Sequence, residues 1–117
     1  MSAQHFSDLD VARGVSMMGS EASLCKILKT VQGNMAGALP DIAAALANNN
    51  VAGANHLLHA LKGYVPIFAS DALVELVTEV EKASKTESAA AVALLYADLG
   101  PRLDALLGEI RSFLAQS

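Results

Sequence analysis

The chain has 117 residues, 53% of them hydrophobic but only 4% aromatic, and a formal net charge of −4. That length suits a single domain with its own core, and a core of Ala, Leu, Val, Ile and Met favours helices over sheets. The acidic balance leaves no basic stripe for nucleic acid, and the longest apolar run, Ala89 to Ala97, falls well short of the roughly 20 residues a bilayer requires.

No charged start followed by an apolar block suggests a signal peptide. The lone Cys25 excludes an internal disulfide and fits a reducing compartment. The expectation is a cytoplasmic module that engages neither membrane nor nucleic acid.

In chain order, Ser7 or Asp8 is placed to cap a short first helix that reaches Met18 and stops at Gly19. Ser20 opens a second helix with Leu24, Leu28, Val31, Met35, Leu39, Ile42 and Leu46 at steps of three and four, the spacing of one buried stripe. Gly33, Gly37 and Pro40 weaken its middle, which leaves both one bent helix and two shorter ones open. Asn48-Asn49-Asn50 is a turn. A third helix then carries Val51, Ala54, Leu58, Leu61 and Val65 inward, until Pro66 biases Val65 away from helical angles.

Ser70 caps a fourth helix with Leu73, Leu76, Val80 and Ala83 inward, and its last turn falls at Lys85 or Thr86. The final helix buries Val92, Leu95, Leu99, Leu103, Leu106, Ile110 and Phe113, and Gly100-Pro101 should kink or divide it. Short connections between amphipathic helices imply antiparallel neighbours. The expected fold is all-α: an up-and-down antiparallel four-helix bundle with a short additional N-terminal helix, one domain over 1–117 with a helical core of about 8–115.

Within the third helix, His59-Ala60-Leu61-Lys62-Gly63 breaks the amphipathic rule. His59 lies more than a quarter turn off the buried stripe. Lys62 follows one turn later and Gly63 four residues later, although Gly inside a helix costs about 1 kcal/mol relative to Ala. Singly, these are a surface histidine, a solvated lysine and a packing glycine. Jointly, they resemble the His-x-Leu-Lys-Gly motif of histidine-containing phosphotransfer (HPt) domains, the small helical bundles that carry phosphoryl groups between receiver domains in phosphorelays.

The likeness extends over most of the chain. Leu9-Asp10-Val11-Ala12-Arg13-Gly14 with Gly19-Ser20-Glu21-Ala22 is similar to the family's short first helix and turn. Ala69 to Lys85 resembles the segment after the motif, including Glu81 near its end. The loop departs from the pattern: Tyr64-Val65-Pro66-Ile67-Phe68-Ala69 stands where small residues usually follow, with Ala69 in place of a Gly. That departure bears on a partner's docking angle and specificity.

The resemblance implies that His59 is the phosphoacceptor, attacking a receiver's aspartyl phosphate through Nε2 and returning the group to a second receiver. A neutral imidazole is a competent nucleophile near pH 7. Lys62 would stabilise the phosphoryl oxygens, and Gly63 would clear the approach for the partner. Asn55, one turn before His59, is either a hydrogen-bonding support for the imidazole or phosphoryl group or part of a solvated face. Tyr64 stands beside the active face, and His56 is a bystander. Mg²⁺ is expected on the receiver, with no cofactor on this domain.

The expected partners are receiver domains of response regulators or a hybrid sensor histidine kinase, met by a monomeric phosphocarrier with no turnover of its own. The alternative is an HPt-like bundle that binds a receiver or another signalling protein without accepting phosphate. A metal site built on His56, His59 and either His5 or Cys25 lacks the inward-facing Glu-x-x-His pairs of metal-binding bundles. No metal is expected.

Overall fold

A computed structural model describes residues 6–116. Five α-helices occur among them: α1 (Val11–Met18), α2 (Glu21–Ala47), α3 (Val51–Tyr64), α4 (Asp71–Ala83) and α5 (Ala89–Gln116), with a 3₁₀ turn, Val65–Ile67, after α3. α2 packs against α3 and α5, and α4 closes the ring between them, while α1 lies on α2. Neighbours run antiparallel. Asn55 near the start of α3 meets Glu81 near the end of α4, and Tyr96 early in α5 donates to the Leu39 carbonyl late in α2. The four-helix bundle with a short additional N-terminal helix is the fold the periodicity predicts.

The seven-residue stripe of α2 is buried throughout, and the helix runs unbroken past Pro40. Proline removes one backbone donor. Burial of the stripe on both sides of that defect holds the helix together, and Ser20 caps it by accepting from the Ser23 amide at 3.1 Å. α5 is likewise one helix across Gly100-Pro101. The central layer therefore consists of two long, facing helices, each with one internal proline.

Elsewhere the structure corrects the expected boundaries. Asp10, rather than Ser7 or Asp8, caps α1, accepting from the Arg13 amide at 2.9 Å. Residues 7–9 are engaged in long-range bonds instead. The Glu109 carboxylate accepts from the amides of Ser7, Asp8 and Leu9 at 2.6–3.0 Å, and Asp8 takes Arg102 at 2.7 Å and the Ser70 hydroxyl at 2.8 Å. Gly19 ends α1 as expected, in the left-handed region at φ 90°. Gly14 allows the α1–α2 approach, since a Cβ there would stand 2.6 Å from Leu24.

Val65 keeps helical angles (φ −56°, ψ −39°) despite preceding Pro66. It is fully buried and its carbonyl accepts from the Phe68 and Ala69 amides, interactions that outweigh the local bias.

In α4 the inward face is Leu73, Val77, Val80 and Glu81, with Leu76 and Ala83 only partly covered. The helix closes at Ser84, short of Lys85 and Thr86. In α5, Leu95 is 40% exposed and Tyr96 takes the inward place, anchored through its hydroxyl on Leu39 at 3.1 Å.

Candidate functional site

α3 turns two flanks away from its buried stripe of Ala54, Leu58 and Leu61. His59 projects from one of them toward the end of α4, with 71% of its side chain exposed. Beneath the imidazole lies Glu81, whose side chain is fully buried. A buried carboxylate is costly unless it is paired and hydrogen-bonded. Here three helical turns of α3 and the end of α4 supply its partners.

Lys62 Nζ stands 3.3 Å from Glu81 Oε1, and Lys85 Nζ stands 3.4 Å from Oε2. His59 Nδ1 lies 3.5 Å from the same Oε2. Asn55 Nδ2 donates to Oε2 at 3.2 Å and to Ser84 Oγ at 2.8 Å, while the Ser84 hydroxyl donates to the Glu81 carbonyl. Burial pushes the Glu81 carboxyl up, but the hydrogen bonds and charges of Lys62 and Lys85 outweigh it and hold the group below its ordinary value. Glu81 is thus a carboxylate anion forming the floor of the site.

The floor faces the inner edge of the imidazole. With Nδ1 facing a carboxylate, the tautomer protonated at Nδ1 is favoured, and the Nε2 lone pair is left at the exposed edge of the ring. The arrangement can present a nucleophilic nitrogen to a partner with a proton already placed behind it. Lys62 brings positive charge to the same edge of α3.

Gly63 has open space around it: a Cβ there would meet nothing within 4 Å. No internal contact requires a glycine at this position.

Asn55 makes no direct hydrogen bond to the imidazole among the described residues. It is a structural donor to Glu81 and Ser84, not part of a solvated face, and it reaches the imidazole only through the carboxylate. Tyr64 is not brought to His59. Five residues on, it lies about 140° round the helix. It stacks on Phe68 with ring centroids 6.4 Å apart, and burial pushes its hydroxyl up to about 12. His56 is exposed. No group of three or more metal-ligating side chains is assembled among the described residues, and His5 lies outside them.

Compared with known protein families, residues 26–113 match the Hpt domain. The chain belongs to the Hpt domain family. No curated protein and no solved structure matches it. Membership carries histidine phosphotransfer in two-component phosphorelays, receiver domains as the class of partner, and a carrier's role rather than an enzyme's. Among the described residues of this Hpt domain, no helix is long and apolar enough to cross a membrane.

The sequence reading named Glu81 only as part of the resemblance and missed its role as the floor, together with Lys85 as its second cation and Ser84 as its clasp. A signal existed. Glu81 follows Val77 by four residues and so falls on the inward stripe of α4, where a charge demands partners, and Lys85 follows it by four more.

Proposed function

We propose that this Hpt domain accepts a phosphoryl group on His59 from a receiver's aspartyl phosphate and passes it to another receiver. The observation that carries the reading is the exposed imidazole held with Nδ1 against a buried, cation-compensated carboxylate. In the forward step Nε2 attacks phosphorus. The N–P bond forms, the P–O bond breaks, and the electron pair returns to the receiver's carboxylate. The Nδ1 proton stays on the Glu81 side, where the anion offsets the positive charge that develops on the ring.

The return step reverses each bond. Lys62, one turn from His59, attracts the phosphoryl oxygens, and Mg²⁺ is supplied by the receiver. In this reading the domain acts as a monomeric carrier in the cytoplasm, exposing one face to receivers of response regulators or of a hybrid sensor kinase.

Gly63 serves access. Because the space around it is open, Gly63→Gln should fold as the parent does, with helix propensity favouring the variant by up to about 1 kcal/mol. Phosphoryl exchange with a receiver should nevertheless slow, with the loss residing in KM. Stopped-flow exchange and thermal melts check the pair. An undiminished exchange rate would remove Gly63 from the docking surface.

The reading as a whole is tested by mixing the protein with a phosphorylated receiver and Mg²⁺ and following acid-labile, base-stable label. Transfer to this chain supports the carrier. Stable binding without label, from every receiver encoded beside it, would favour a module that docks receivers without accepting phosphate.

A further inference from the structure

We propose that Lys85 is a second phosphoryl-binding cation of the His59 site, delivered from the end of α4; the inference rests on the phosphotransfer reading above. Lys85 and His59 share one oxygen. Both Nζ of Lys85 and Nδ1 of His59 approach Glu81 Oε2, at 3.4 and 3.5 Å, while Lys62 takes Oε1. The two ammonium groups thus bracket the carboxylate on which the imidazole rests.

Counting charge shows what the second cation is for. The cluster comprises Glu81, Lys62, Lys85 and a neutral imidazole, a net of one positive charge before transfer. No charged group of α2 or α5 forms an ion pair with it among the described residues. A phosphoryl group on Nε2 adds close to two negative charges within a few ångströms of a carboxylate that is already buried. With Lys62 alone, one cation would face both anions. With Lys85 present, two cations are shared between the two anions.

Lys85 is built to move between them. Its backbone is anchored just past α4 by the Lys85 amide donating to the Lys82 carbonyl at 3.1 Å. Its side chain is 52% exposed on a flexible four-carbon stem, so the ammonium can swing from Oε2 toward the phosphoryl oxygens without disturbing the bundle. Lys62 is the less exposed of the two, at 39%. Lys85 is therefore the more mobile reserve of positive charge.

The alternative is that Lys85 only compensates Glu81. Phosphoramidate, a small phosphoryl donor, separates the two roles without a receiver. The full chain and its Lys85→Ala and Lys85→Arg variants are labelled with phosphoramidate. The initial rate is measured, and the phosphohistidine ³¹P resonance is then titrated with pH. Lys85→Ala should label about fivefold more slowly, the upper range for a half-exposed ion pair.

A cation beside the phosphoryl group favours its dianion, so the ³¹P titration midpoint should lie higher in Lys85→Ala than in the parent. Lys85→Arg should restore both rate and midpoint. A Lys85→Ala variant with parental rate and midpoint overturns the proposal, and so does one that is merely less stable with the midpoint unmoved. A parent protein that takes no label on His59 overturns the phosphotransfer reading along with it.

Discussion

Replacing His59 with Gln should abolish phosphoryl transfer from a receiver, while His56→Gln should leave it intact. The two histidines sit one turn apart on α3 and both face outward, so composition and exposure do not separate them. The carboxylate does. Of the two, His59 has the Glu81 carboxylate facing Nδ1, which favours the proton at the inner nitrogen and leaves Nε2 outward. Gln keeps the polarity and approximate reach of the side chain but has no nucleophilic nitrogen, so the loss should be complete rather than partial. Because the His59 side chain is 71% exposed and packs little, His59→Gln should melt within about 0.5 kcal/mol of the parent. Label persisting in His59→Gln would remove this residue from the site.

The second large effect concerns stability and its pH dependence. The Lys62→Met, Lys85→Met double variant strips both cations from a fully buried carboxylate, and should cost about 3 kcal/mol at pH 7. The figure lies at the low end for broken buried pairs, since both lysines are themselves 39–52% exposed. In the parent, Glu81 titrates below its ordinary value of 4.5. A depressed carboxyl contributes stability that is fully present above its unfolded value and is lost as pH falls through the still lower folded value.

In the double variant, desolvation is left largely unopposed, so the folded value moves above 4.5 and the sign reverses. Protonation then relieves the buried charge. The stability gap between parent and double variant should therefore narrow as pH falls from 7 to 4, as read by urea unfolding. A gap that stays constant over that range would mean that the lysines do not compensate Glu81.

Much of the fold was legible because its signals are local. The stripe of α2 repeats at three and four over seven residues, and Ser20, Gly19 and Ser70 are start and stop signals that act within one turn. What went astray depended on distant chain. Asp8 was a reasonable cap until Arg102 and Ser70 claimed it, and both lie far along the sequence. Leu95 and Tyr96 are adjacent, and the inward one, Tyr96, finds its hydroxyl's partner in the Leu39 carbonyl across the bundle. Pro40 left one helix or two open, and Gly100-Pro101 read as a kink or a division, because propensity counts the lost donor but not the packing that holds both ends.

The site divides in the same way. His59, Lys62 and Gly63 sit within one helical turn and could be read as a unit. Glu81 is joined to Asn55 across 26 residues of sequence and to Lys62 across 19, and no local pattern announces such a pairing. A charged residue in a helix is read as solvated unless its place on the buried stripe is taken seriously. Glu81 held such a place.

The central claim is that a receiver's phosphoryl group comes to rest on Nε2 of His59, with Nδ1 facing Glu81. Its most direct test is two-dimensional NMR of the ¹⁵N-histidine-labelled protein after transfer from a phosphorylated receiver and Mg²⁺. The predicted result is a single phosphorylated ring, that of His59, with phosphorus bonded to Nε2 and the ring proton on Nδ1. Phosphorus on Nδ1, or on the ring of His56, would contradict it.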